Sequence, residues 1–166
     1  MVFMPKNCSR IISRSFIPFR IGHTCLQFVS KFKHLGHCID NGLVDNDDVL
    51  REVRNMFIRS NVLIRKFKRC SVYVKTILFK SYCICLYDAA LWTHYNVYIL
   101  NKLKSCYIRC IKSFFGYKRY DSVTAMLSTL GILSFDTILF NVSKTFQSHW
   151  NNCSNSLIRH LVTVRC

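Results

Sequence analysis

The sequence predicts a mainly α chain, with a short N-terminal β-hairpin region followed by a helical bundle, and three observations lead there. Apolar residues recur at three- and four-residue steps between residues 45 and 153. The segments carrying that period are opened by Ser71, Asp121 and Ser134 and closed by Gly116 and Gly131, residue types that start and stop helices. Before residue 45 the period is missing, and short β-prone runs alternate with glycine. Residues 1–44 are therefore expected to form strands, 45–153 the helical domain, and 154–166 a C-terminal tail.

In chain order, Ile17-Pro18-Phe19-Arg20-Ile21 reads as an edge strand, because proline lacks a ladder donor, and Gly22-His23-Thr24 as the turn after it. Arg10, Arg14, Arg20 and Lys31 keep this region basic. Cys25-Leu26-Gln27-Phe28-Val29 alternates in part and is β-prone. Ser30-Lys31 is expected to turn it onto the segment Phe32 to Ile39, in which Gly36 permits a tight bend. Asn41-Gly42 ends this basic hairpin.

Asp45 or Asn46 suits a helix N-cap, with Asp47, Asp48 and Glu52 near the positive end of the helix dipole. Leu50, Val53, Phe57, Ile64 and Phe67 give one long amphipathic helix to about residue 68. Its bases, Arg51, Arg54, Arg59, Arg65, Lys66, Lys68 and Arg69, suit either a solvated face adapted to the dipole or a phosphate-contacting face. Ser71 opens a second helix, expected to run to about Trp92 and, being apolar on most sides, to lie at the centre of the bundle. Tyr82, Tyr87, Trp92 and Tyr95 fit a core at helical spacing, with base stacking as the alternative. A third helix is expected over about 97–115, then a basic aromatic loop Tyr117-Lys118-Arg119-Tyr120. Asp121 caps a short helix, Ser134 opens another to about Trp150, and the tail from Ser154 to Val164 can add a last one.

The charge is the unusual part of the composition. Among 166 residues, 24 Lys and Arg face 8 Asp and Glu, a formal net charge of +16. A polyanionic partner is the simplest implication and nucleic acid the commonest one; an acidic membrane surface, or basic composition without a partner, are the alternatives. Ten cysteines would suit a disulfide framework in a secreted chain, but Met1-Val2-Phe3-Met4-Pro5-Lys6 holds no apolar signal core. The expectation is an intracellular protein, of cytoplasm or nucleus, with reduced thiols. The sequons at Asn7, Asn141 and Asn152 are then chance matches. The uncharged run between Asp121 and Asp136 is too short for the roughly 20 residues of a membrane crossing.

Phe32-Lys33-His34-Leu35-Gly36-His37 resembles the Phe-x-Tyr-Leu-Gly signature of motif E, the primer grip, in reverse transcriptases of non-LTR (LINE-like) retrotransposons. The chain beyond His37 is similar, in order and spacing, to the thumb of those polymerases. The similar residues are Asp45, Asp47 and Asp48, then Asn61-Val62-Leu63-Ile64-Arg65-Lys66-Phe67, Cys70-Ser71 and Val74-Lys75 with Leu78 to Cys83. Leu86-Tyr87 with Leu91-Trp92, and Phe114-Phe115-Gly116 with Arg119-Tyr120, complete them. The resemblance runs from about Val2 to the last helix and implies a thumb-like bundle beside palm and fingers. Its implied partner is an RNA–DNA hybrid or RNA template–primer. Phe32, Lys33, His34, Leu35 and Gly36 are then the primer-grip residues, with His34 standing where the family has Tyr. Imidazole stacks less well than phenol, which weakens the grip. Lys31, Arg65, Lys66, Arg69, Lys118 and Arg119 are the candidate phosphate contacts, by charge and position, in a recognition of shape with little sequence readout.

Polymerase chemistry needs two metal ions held by carboxylates. In the resembling family these come from motif A and a Tyr/Phe-x-Asp-Asp turn, and the sequence has no such turn. Asp47-Asp48, the sole adjacent acidic pair, reads as a capping feature. The resemblance therefore places the catalytic residues and Mg²⁺ in a palm upstream of Met1. It gives this chain no catalytic residue, metal or cofactor of its own, and predicts no polymerisation by it alone. Zinc is poorly served. Cys83-x-Cys85 and Cys106-x3-Cys110 lack knuckle spacing; His34 and His37 near Cys38 could supply ligands, but the resemblance explains His34 as the stand-in for Tyr and Gly36 as the turn. The alternative of another class is a non-enzymatic helical interaction protein, or a decayed remnant without nucleic-acid activity.

Overall fold

The computed structural model describes residue 1 and residues 19–164. Ile17, Pro18, Arg10, Arg14 and the sequon at Asn7 lie outside the described residues. Strand β1 (Arg20–Ile21) pairs antiparallel with β2 (Thr24–Cys25) around Gly22-His23, so Thr24 belongs to a strand and not to the turn. Strand β3 (Lys31–His34) pairs antiparallel with β4 (His37–Asp40), Lys31 opposite Asp40 and His34 opposite His37. The expected partner at Cys25–Val29 is thus corrected. Leu35-Gly36 closes a two-residue loop that pairs the segment with its own continuation, the shortest closure available. Both loop residues have positive φ, 48° and 95°. Gly36 takes this freely, whereas a left-handed Leu35 costs about 1–2 kcal/mol.

Helix α1 spans Asn46–Phe67, α2 Val72–Tyr82, α3 Val97–Phe115, α4 Val123–Leu130, α5 Phe135–Asn151 and α6 Ser156–Val164, with a 3₁₀ turn at Tyr87–Leu91. Most ends obey local rules. The Ser71 hydroxyl accepts from Val74 N, Asn96 Oδ1 from Tyr98 N at 2.8 Å and Ser134 from Thr137 N at 3.1 Å. Gly116 and Gly131 stop α3 and α4 in the left-handed conformation, at φ 82° and 58°. The cap of α4 is Ser122, one residue past the expected Asp121, whose carboxylate instead accepts Lys118 N at 2.6 Å.

α1 and α3 run parallel. The Cys106 and Cys110 thiols point at the carbonyls of Val53 and Met56, and Asp45 N donates to His94 O at 2.8 Å at the helix starts. Val49, Met56 and Leu63 of α1 meet Leu103, Tyr107, Ile111 and Phe114 of α3 in one core. A parallel pair needs a returning connection, which α2 and the 3₁₀ turn supply. Phe79 is the single buried side chain of α2, its ring 6.2 Å from Tyr107 and 6.3 Å from Phe114.

Two expectations for this segment fail. α2 stops at Tyr82, because Leu86 and Trp92 enter the core and Asp88 reaches Arg51, contacts that a continuous helix would point elsewhere. Nor is α2 central. α1 and α3 pack directly on each other, leaving Val72 60% and Tyr73 76% exposed. α5 then packs back along the bundle, anchored where Tyr107 Oη donates to Leu133 O at 2.6 Å. No single helix among the described residues is long and apolar enough to cross a membrane; α4 and α5 reach that length only across a 57° bend.

Candidate nucleic-acid interface

Asp48 decides where hairpin β3–β4 sits. Its side chain is fully buried and accepts from Cys38 N of β4 at 2.9 Å, Arg51 Nε at 2.7 Å and Trp92 Nε1 at 2.9 Å. One carboxylate thereby joins the hairpin, α1 and the segment after the 3₁₀ turn. Burial alone would raise its pKa, but these hydrogen bonds outweigh desolvation and hold the carboxyl below its ordinary range. Desolvation likewise opposes the charge of Arg51, and Asp48, Asp88 and Glu52 overcome it. Neighbouring Asp45 accepts from Thr93 N and His94 N, each at 2.8 Å. Asp47 and Asp48 do stand in the first turn of α1, as expected of a helix start, but Asp48 is a tertiary hub as well; Asp45 holds the N-cap position without a side-chain capping bond.

His37, Asp48 and Asp88 also lie close enough together to suggest a metal centre, their ligand atoms within 4.8 Å of one another. Arg51 fits the cluster better. Its Nη2 donates to Asp88 at 2.6 Å while Nε holds Asp48, so a guanidinium already supplies the positive charge. His37 Nδ1 approaches Asp48 at 3.1 Å without the alignment of a hydrogen bond.

The docked hairpin and α1 enclose an open cleft of about 480 Å³, lined by Lys31, Phe32, Lys33, Asp47, Leu50 and Arg54 among others. Lys31 is paired with Asp47, which raises its pKa and engages one of the expected phosphate contacts. Lys33 and Arg54 make no ion pair among the described residues. Beyond Arg54, the exposed positions of α1 continue at three- and four-residue steps through Ile58, Asn61, Arg65 and Lys68, on the face opposite Val49, Met56 and Leu63. Across a second groove, of about 360 Å³, Lys102 and Arg109 of α3 face Val53 and Phe57 of α1.

The sequence-derived candidates divide accordingly. Lys31, Phe32 and Lys33 share the cleft, and Phe32 and His34 lie stacked on one side of β3, centroids 6.3 Å apart. Leu35 and Gly36 form the tip. Arg65 lies on the α1 stripe, with Lys66 and Arg69 exposed beside it. Lys118 and Arg119 belong to the α3–α4 loop, which Lys112 Nζ ties down by donating to the carbonyls of Arg119 and Asp121, each at 2.7 Å. Sequence reasoning names Arg54 and Lys68 only within the basic set of the first long helix, and gives Lys102 and Arg109 no contact role. Extending the spacing from Arg65 would find Arg54 and Lys68; the α3 pair requires the α1–α3 packing.

No family model, curated protein or solved structure matches the chain.

Proposed function

We propose that this chain binds a nucleic-acid duplex along hairpin β3–β4 and the outer face of α1. The role is that of the grip and thumb of a non-LTR retrotransposon reverse transcriptase, without catalytic carboxylates of its own. The observation that supports it is where the charges go. All eight acidic residues are engaged inside the molecule: Asp40, Asp45 and Asp121 with backbone N–H groups, and Asp47, Asp48, Glu52, Asp88 and Asp136 with Lys31, Arg51, Arg59 and Lys104. Lys33, Arg54, Arg65, Lys66, Lys68 and Arg69 are among the described cations that make no ion pair, as are Lys102 and Arg109 of α3. Arg54, Arg65 and Lys68 continue the line from Lys33 of the hairpin along one face of α1 and its C-terminal end, with Lys66 and Arg69 beside it. Neutralising phosphates with such cations releases counterions, so affinity falls steeply with salt.

The test is fluorescence anisotropy of a labelled RNA–DNA hybrid over a salt series. The expected result is a linear fall of log affinity with log salt, and a slope flattened by about three units when Arg54, Arg65 and Lys68 are all changed to Gln. No binding at low salt, or an unchanged slope in the triple variant, overturns the proposal. The exposed apolar side of α2 at Val72, Tyr73 and Ile77 favours a second reading, a helical protein-interaction module. Concentration-dependent association without hybrid binding would support that instead.

A further inference from the structure

We propose that Leu35 is a wedge that enters a base step of the bound duplex, so that hairpin β3–β4 unstacks bases as well as holding a strand. The inference rests on the duplex-binding reading and adds to it a specific contact. Leu35 is 93% exposed, the most exposed large apolar side chain among the described residues. Its place in the turn makes this exposure more than a scattered surface leucine. A two-residue hairpin loop of this hand favours Asn, Asp or Gly at its first position, since each adopts positive φ readily. The chain instead puts a γ-branched apolar residue there, at φ 48°. Neither packing nor turn geometry accounts for it. A residue that the fold disfavours and does not use is a candidate for use by a partner.

The surroundings of the tip select the partner. Behind Leu35 on β3 stand the stacked rings of Phe32 and His34, planes 24° apart, and between those two residues Lys33 reaches the cleft shared with Arg54. Apolar tip, planar rings and the unpaired Lys33 on one two-stranded ribbon, with Arg54 of α1 across the cleft, match a ligand with flat apolar faces inside an anionic rim, which describes a base stack between its phosphates. Leu is among the side chains able to part a base step, repaid by the contacts that the opened duplex allows. An acidic lipid surface would share the cations but leave the ring stack unexplained.

The experiment uses the full chain and an RNA–DNA hybrid carrying 2-aminopurine at successive positions of its DNA strand, whose emission rises when the base unstacks. A several-fold rise confined to one or two adjacent positions is expected on saturation. In Leu35→Asn, which suits the turn better and so keeps the hairpin, the rise should vanish even at protein concentrations that saturate the hybrid. Leu43→Asn is the control, because Leu43 also sits at positive φ, 53°, but away from the tip; it should keep the rise. Binding without any rise, a rise that survives Leu35→Asn, or equal loss in Leu43→Asn overturns the wedge and leaves duplex binding standing. Loss of binding by Leu35→Asn to phosphatidylserine vesicles, with its hybrid signal unchanged, would assign the tip to lipid and also overturn it. No hybrid binding at low salt removes both readings.

Discussion

Replacing Asp48 by Ala tests whether one buried carboxylate holds the hairpin on the bundle. The substitution strands two neutral donors, Cys38 N and Trp92 Nε1, both bonded to Asp48 at 2.9 Å. A buried donor left without its acceptor costs about 1–3 kcal/mol. Arg51 loses its 2.7 Å bond but keeps Asp88 at 2.6 Å, so its charge is not wholly stranded and the full 3–5 kcal/mol or so for breaking a buried pair does not apply. Together these give a loss of about 4 kcal/mol, a large part of the roughly 5–15 kcal/mol that holds a domain of this size. Asp48→Asn keeps one acceptor oxygen and should lose about half as much. Urea unfolding followed by circular dichroism and by tryptophan emission measures both, and amide exchange at Cys38 should accelerate in Asp48→Ala. A loss below about 1 kcal/mol, within reach of an ordinary surface substitution, would refute the hub.

The same packing sets three further expectations. The folded-state pKa of Asp48 lies below its ordinary value of 3.8, so its contribution is complete above that pH. It is lost as pH falls through 3.8 toward the folded value, because the unfolded chain takes up the proton first. Urea midpoints measured across that window should fall more steeply for the natural chain than for Asp48→Asn. Phe79→Ala, which removes the ring that joins α2 to Tyr107 and Phe114, should cost about 3–5 kcal/mol in the same assay. Among the described thiols, exposed Cys25 should alkylate first. Cys83, pushed up to about 12 by burial, and Cys106, raised by its hydrogen bond to Cys110 and by burial, should react only as urea unfolds the chain. Peptide mapping by mass spectrometry reads the order.

The helical class, the bounds of α1 and α3 and the stops at Gly116 and Gly131 were legible because each depends on residues within a few positions of one another. An apolar period needs no knowledge of its partner, and a glycine at a helix end needs only its own missing side chain. The candidate interface was half legible. The residues expected to form a grip adjoin in sequence and Arg65 repeats at helical spacing, whereas the engagement of Lys31 by Asp47 became visible only with the hairpin docked.

By itself, then, the sequence determined the mainly α character, the tight bend at Gly36, the helix ends set by side-chain caps and glycines, and the excess of positive charge. Tertiary structure alone decided the end of α2 at Tyr82, its place at the periphery, the burial of Asp48 and the path of unpaired cations. The physical reason is separation along the chain. Arg51 meets Asp88 across 37 residues and Asp48 meets Trp92 across 44, and such pairs compete with local helix propensity only once α1 and α3 have packed. A carboxylate beside a helix start reads as a cap in the sequence; the donors that surround it in the fold make it a hub.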